Sequence, residues 1–98
     1  MPASVRYRVT RPAEQDLIEI ARYSLETWGK TQRDRYFAGL FRMFEQIADL
    51  PLLGRAVPEM GKDVHVRLYR KQHMVYYRFA RRQPIDILRV LHVRQDRP

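Results

Sequence analysis

Four basic residues in the C-terminal half carry the most suggestive chemistry in this chain: Arg67, Arg78, His92 and Arg94. Metal-free cleavage of RNA needs a base for the 2′-hydroxyl proton, cations for the charge on the phosphorane and an acid for the leaving oxygen. Imidazole and guanidinium groups can fill these roles. Period-two alternation puts His65, Arg67 and Tyr69 on one face of a strand and Met74, Tyr76 and Arg78 on one face of the next. If both faces turn away from the helices, an Arg/His/Tyr surface able to hold RNA results. His92, expected on the face of Leu88 and Val90, would reach it from a strand end. The competing reading makes Arg67 and Arg78 solvated sheet residues or partner contacts, and has His92 bond a backbone group at the sheet end. His65, His73 and His92 lack metal-ligand spacing and carboxylate support, so neither a metal nor a cofactor is expected.

The elements that position these residues follow from local pattern. Val5 to Val9 alternates, with Val5, Tyr7 and Val9 on one side, which predicts a half-buried strand. Thr10 is a good N-cap, Pro12 suits a first helical turn, and Glu14 and Asp16 complement the positive helix end. Ala13, Leu17, Ile20, Ala21, Ser24, Leu25 and Trp28 then recur at helical spacing until Gly29, which predicts a helix over 11–28. Thr31 and Asp34 form a capping-box-like start to a second helix, with Lys30, Arg33, Asp34 and Arg35 solvated. Its apolar positions are Tyr36, Phe37, Leu40, Phe41, Met43, Phe44, Ile47, Ala48 and Leu50, a stripe wider than one packing face needs. Phe37, Phe41 and Phe44 read as core, each worth a few kcal/mol of burial, while Trp28 either anchors the hairpin or meets a partner.

Pro51 stops the second helix, and 51–63, with Pro51, Gly54, Pro58 and Gly61, reads as an irregular loop. Strand patterns return at 64–69, 73–79 and 85–92, joined by a tight connection at Lys71-Gln72 and a turn at Arg81 to Pro84 whose arginines blunt edge pairing. The last strand is apolar on both faces, with Ile85, Ile87 and Leu91 on one and Leu88 and Val90 on the other. It is expected to be central and covered twice. The tail from Val93 reads as exposed. The order of strand, two helices and three-stranded antiparallel meander is α+β: one domain over 1–98, with a helical hairpin on one face of a small antiparallel sheet.

Composition narrows the partners. Of 98 residues, 19 are basic and 11 acidic, a formal charge of +8, and 16 of the 19 are Arg. The Arg fork favours phosphate, carboxylate and aromatic faces, so nucleic acid and acidic proteins are the partner classes in view. With no cysteine, disulfide scaffolds and thiolate sites are excluded. No apolar run approaches the ~20 residues of a membrane span, and the start lacks the apolar stretch of a secretory signal.

The chain resembles the ParE toxins of bacterial type II toxin–antitoxin modules, in the RelE/ParE superfamily. The pattern runs through Ala13, Glu14, Asp16-Leu17, Ile20, Tyr23 and Trp28-Gly29, then Tyr36, Leu40, Ile47, Pro51 and Gly54-Arg55. It is most specific at Val75-Tyr76-Tyr77-Arg78 and at Ile87 to Asp96. The resemblance implies a cytoplasmic toxin held inactive in a hetero-oligomer by an acidic, ParD-like antitoxin that wraps the hairpin and sheet. It implies DNA gyrase as target, and inhibition rather than catalysis. RelE relatives instead cut messenger RNA in the ribosomal A site, so the alternative is a ribosome-dependent endonuclease using Arg67, Arg78 and His92. A plain nucleic-acid-binding module without toxicity is a third reading. The candidate target- or antitoxin-binding residues are Trp28, Phe37, Phe41, Arg67, Tyr76, Arg78, His92 and Arg94. Two departures stand out. The segment after the second helix holds only Arg55 and Lys62 where RelE-type nucleases would be expected to carry several Lys, and Arg70-Lys71-Gln72 precedes His73 where many relatives have Gly or Ser. His92 is typical of the family even without nuclease activity.

Overall fold

The computed structural model describes residues 6–79 and 84–94. Strand β1 (Tyr7–Val9) leads into helix α1 (Arg11–Trp28) and helix α2 (Lys30–Asp49). A single 3-10 turn (Pro51–Leu53), the two-residue strand β2 (Arg55–Ala56) and a second 3-10 turn (Pro58–Met60) follow. Strands β3 (Val64–Tyr69), β4 (His73–Arg78) and β5 (Ile85–His92) complete the chain. Val5, Arg81 and Arg82 lie outside the described residues, as does the tail beyond Arg94.

Helix α1 starts where its local chemistry dictates. The Thr10 hydroxyl oxygen accepts from the Ala13 N–H and the same hydroxyl donates to the Ile87 carbonyl at 2.9 Å, capping the helix and tying it to β5. Gly29, at φ 88°, ends α1 and opens α2. The capping box expected at Thr31 and Asp34 does not form. Gly29 is the N-cap, no side chain caps α2, and Asp34 pairs with Arg33 and Lys30 instead. A one-residue junction leaves no room for Thr31 outside the helix.

The strand order is β1-β5-β4-β3-β2. The sheet is therefore mixed rather than antiparallel throughout: β1 runs parallel to β5, Tyr7 opposite Ile85, while the other neighbours are antiparallel. The long helical crossover between β1 and the meander permits that parallel pair, which no short hairpin could. The middle strand is β4, and β5 lies between it and β1. The loop expected over 51–63 contains β2, paired with β3 at the sheet edge.

Both helices pack on one sheet face. Leu40, Phe44, Ile47, Val75, Tyr77 and Ile87 form the fully buried centre of that core, with Phe37 and Phe41 half-buried at its margin. Val57, Val64, Val66 and Tyr76 form a second cluster on the opposite face, joined by Met74, Leu88 and Leu91. The faces of β5 depart from simple alternation. Val75 lies opposite Val90 and Tyr76 opposite Arg89, yet Tyr77 lies opposite Ile87, so Leu88 is an extra residue in a β-bulge. Beyond the bulge the parity reverses: Val90 joins Ile85 and Ile87 against the helices, and Leu91 joins Leu88 on the other side.

Candidate functional site

The bulge decides where the C-terminal residues of β5 point. His92 falls on the helix side, where its ring meets that of His73 edge-on, with centroids 5.4 Å apart. Around this pair the second half of α1 contributes Tyr23, Ser24 and Trp28, the start of α2 contributes Gln32 and Tyr36, and the β3–β4 turn contributes Gln72. Together they line an open cleft of about 400 Å³. A neighbouring depression of about 560 Å³ shares Tyr23, His73 and His92 and extends past Glu19 and Ile20 to Arg94.

The cleft floor is a buried hydrogen-bonded chain. The Tyr69 hydroxyl donates to the Tyr36 carbonyl at 2.8 Å, and the Tyr36 hydroxyl shares a 2.6 Å hydrogen bond with Nδ1 of His73. The Tyr36 and Tyr69 rings pack edge to face at 4.9 Å. Arg70 lies over the outer Tyr69 ring at 5.6 Å. Tyr69 can approach α2 this closely because Gly39 offers no side chain: a Cβ there would stand 2.1 Å from the hydroxyl. Burial, and secondarily the nearby His92, push the His73 pKa down to about 4, so its imidazole is neutral at physiological pH. Burial and then Tyr69 raise Tyr36 above the ordinary phenol range, with Arg70 acting against them.

The end of β5 is fastened to the same turn. The Val93 N–H donates to the Gln72 carbonyl at 2.9 Å, and the Arg94 N–H donates to His92 Nδ1 at 3.1 Å. An Nδ1 that accepts a backbone N–H carries no proton, which places the proton of a neutral His92 on Nε2. Arg70 and Lys71, both at positive φ, form the two central residues of the β3–β4 turn, closed by the Gln72 N–H to the Tyr69 carbonyl at 3.0 Å. That is type I′ geometry, achieved without Gly.

The expected Arg67, Arg78 and His92 group does not assemble. The register sets Val66 opposite Tyr76 and Arg67 opposite Val75, so His65, Arg67 and Tyr69 share the helix-facing side while Met74, Tyr76 and Arg78 lie on the other. Each strand alternates as expected, but the pairing puts the two sets on opposite faces. Arg67 sits at the His65–Tyr77 end of the helix side, where its charge lowers the Tyr77 pKa against the larger upward effect of burial. Arg78 donates to the Lys62 carbonyl at 3.4 Å on the far face, close to buried Tyr76. His92 is not on the face of Leu88, and Val90 has left that face as well. Of the other candidates, Trp28, His92 and Arg94 come together around the two depressions, whereas Phe37 and Phe41 meet edge to face at 5.8 Å beside the core. Among the described residues no group of three or more His, Cys, Asp or Glu is placed to hold a metal.

Sequence reasoning did not single out Tyr36, His73, Gln32 or Gln72 for the site, and it placed Tyr69 on a surface with His65 and Arg67 rather than beneath this cleft. Tyr23 left a trace as an aromatic off the buried stripe of α1 (Ala13, Leu17, Ile20, Ser24).

Comparison with known proteins fits this geometry into a family. A family model described as the ParE toxin of the parDE type II toxin–antitoxin system matches residues 7–97. The chain is 32% identical over 93 residues to Toxin ParE1 of Mycobacterium tuberculosis, covering 95% of this chain and 94% of the relative. It is 36% identical over 86 residues to Toxin ParE1 of Caulobacter vibrioides, covering 88% and 86%. A solved structure described as the chromosomal ParDE TA system from P. aeruginosa shares the fold. Its TM-score is 0.75 at 18% identity, over 91% of this chain and 96% of that one.

Proposed function

The chain belongs to the ParE toxins of type II toxin–antitoxin systems, and from that premise we propose that it arrests growth by binding DNA gyrase and trapping cleaved DNA. In the same reading an acidic, ParD-like antitoxin neutralises it in a cytoplasmic hetero-oligomer. The observation that carries the proposal is the family match across residues 7–97. Two features support inhibition by binding over RNA cleavage. Arg67 and Arg78 lie on opposite sheet faces, so no single phosphate can meet both together with His92. The neutral His73 is buried and engaged by Tyr36, away from solvent protons. For the antitoxin, α1 offers Ile18, Leu25 and Trp28, 50%, 43% and 66% exposed, on a domain of charge +8 that suits an acidic apolar segment. No helix among the described residues is long and apolar enough to cross a membrane.

The test uses folded, antitoxin-free protein with purified gyrase, ATP and relaxed plasmid, scoring supercoiling and cleaved DNA together. Inhibition with accumulation of cleaved plasmid, reversed by the cognate antitoxin, is the expected result. Unimpaired supercoiling at excess folded protein would reject gyrase as the target.

A further inference from the structure

The cleft between α1 and the end of β5 sets exposed aromatic rings beside amides and an imidazole, a combination that an apolar docking face alone does not explain. Trp28 and Tyr23 stand 66% and 63% exposed at its rim, two large aromatic faces on one side of a concave site. Gln32 and Gln72 bring two amides, each with donors and an acceptor, to the same space, and His92 adds an imidazole held in orientation by the Arg94 N–H. At about 400 Å³ the cleft has the size of a small-ligand site, not of a groove for a duplex. Its far end opens towards Arg94. The one carboxylate on that path, Glu19, is paired with Arg22 at 2.9 Å.

We propose that this cleft binds one unpaired nucleotide of a single-stranded segment, with the base against Trp28 and Tyr23 and the phosphate towards Arg94. Stacking on an aromatic face is open to any base, and the amides and imidazole match a ring edge that presents donors and acceptors side by side. The rigid Tyr69–Tyr36–His73 chain beneath gives the floor a fixed shape and, with His73 neutral, no charge of its own. A net charge of +8 draws the strand to the surface without choosing a sequence. A paired base is barred, since its ring edge is occupied and its faces are stacked within the duplex. The inference does not depend on which cellular target the toxin has.

Trp28 is the sole tryptophan of the chain, so its fluorescence reports the cleft directly. The full-length protein is titrated at fixed salt with a single-stranded octanucleotide, with an abasic strand of equal length and with the corresponding duplex. The single strand is expected to quench Trp28 saturably, and the abasic strand and the duplex to leave it nearly unchanged. Anisotropy of a labelled octanucleotide should then show Trp28→Ala and Tyr23→Ala each weakening binding at least ~5-fold, the lower end for loss of one base–aromatic stack. Both side chains are exposed, and unchanged circular dichroism would verify the fold of each variant. Equal binding of the abasic strand would overturn the proposal, leaving only backbone attraction. Wild-type affinity in both variants would overturn it too. So would quenching of Trp28 by an acidic apolar peptide where no oligonucleotide quenches it, which would assign the cleft to a protein partner.

Discussion

Replacing Gly39 by Ala tests whether the close approach of Tyr69 to α2 holds the cleft floor together. In an open helix position the change would stabilise the protein by up to ~1 kcal/mol, because Ala is the better helix former. Here the added methyl would lie 2.1 Å from the Tyr69 hydroxyl and 3.2 Å from the ring carbon that bears it. Tyr69 must therefore withdraw and give up its 2.8 Å bond to the Tyr36 carbonyl. Stranding that buried hydroxyl costs ~1–3 kcal/mol, and overpacking adds ~1–3 kcal/mol. The expected net is a loss of ~1–5 kcal/mol, read as a lower urea midpoint. At ~4–8 °C per kcal/mol for a domain of this size, Tm should fall by at least ~4 °C. A double-mutant cycle with Tyr69→Phe isolates the cause. Once the hydroxyl is gone the nearest atom is 3.2 Å away, a contact relieved by a shift of a few tenths of an ångström. Gly39→Ala should then be neutral or stabilising, a coupling of ~1 kcal/mol or more. If Gly39→Ala stabilises the protein equally in both backgrounds, the proposed wedge between Tyr69 and α2 does not exist.

Two further perturbations address neighbouring parts of the framework. His73 titrates at about 4 when folded, against 6.5 for an unperturbed imidazole, so the unfolded chain takes up its proton first. The stability contributed by keeping His73 neutral is complete above about pH 6.5 and is lost as the pH falls towards 4. Urea midpoints across that window should show the decline, and His73→Gln should flatten it; equal slopes for the two proteins would refute the assignment. Asp16 accepts two bonds from Arg89, at 2.8 and 2.9 Å, and one from the Val90 N–H at 2.8 Å. Because Arg89 is exposed, its pairing adds little, but an orphaned Val90 N–H makes Asp16→Ala cost ~1–3 kcal/mol. Asp16→Asn, which keeps an acceptor, should cost less; identical urea midpoints for the two variants would count against that division.

The outline of the fold was written in short-range chemistry. Thr10, Pro12 and Gly29 mark α1 to the residue because capping and termination act over one turn, and period-two alternation locates β3, β4 and β5 because each strand has one face against the helices. What escaped is what no single segment encodes. The partner of β1 is chosen by the crossover of two helices, and its pairing with β5 turns an expected antiparallel sheet into a mixed one. Thr31 and Asp34 present a sound capping signature that loses to Gly29, whose positive φ turns the chain within one residue.

The candidate site was less legible for a related reason. Alternation assigns residues to the two faces of each strand separately, but only the register between strands says which faces coincide. With Val66 opposite Tyr76, Arg67 and Arg78 part company although each obeys its own strand's pattern. One extra residue at Leu88 then carries Val90 and His92 across to the helix side, into contact with His73. A perfectly regular β5 would have left His92 on the face of Leu88 and Arg78, near the cluster the sequence suggested. The bulge thus exchanges a basic surface on the open sheet for an aromatic and imidazole cleft against α1. Deleting Leu88 would therefore straighten β5 and leave the site in place, since Ile87 would still lie opposite Tyr77 and His92 opposite His73; only a ladder that kept Leu88 paired would slip Val90 and His92 by one residue onto the other face.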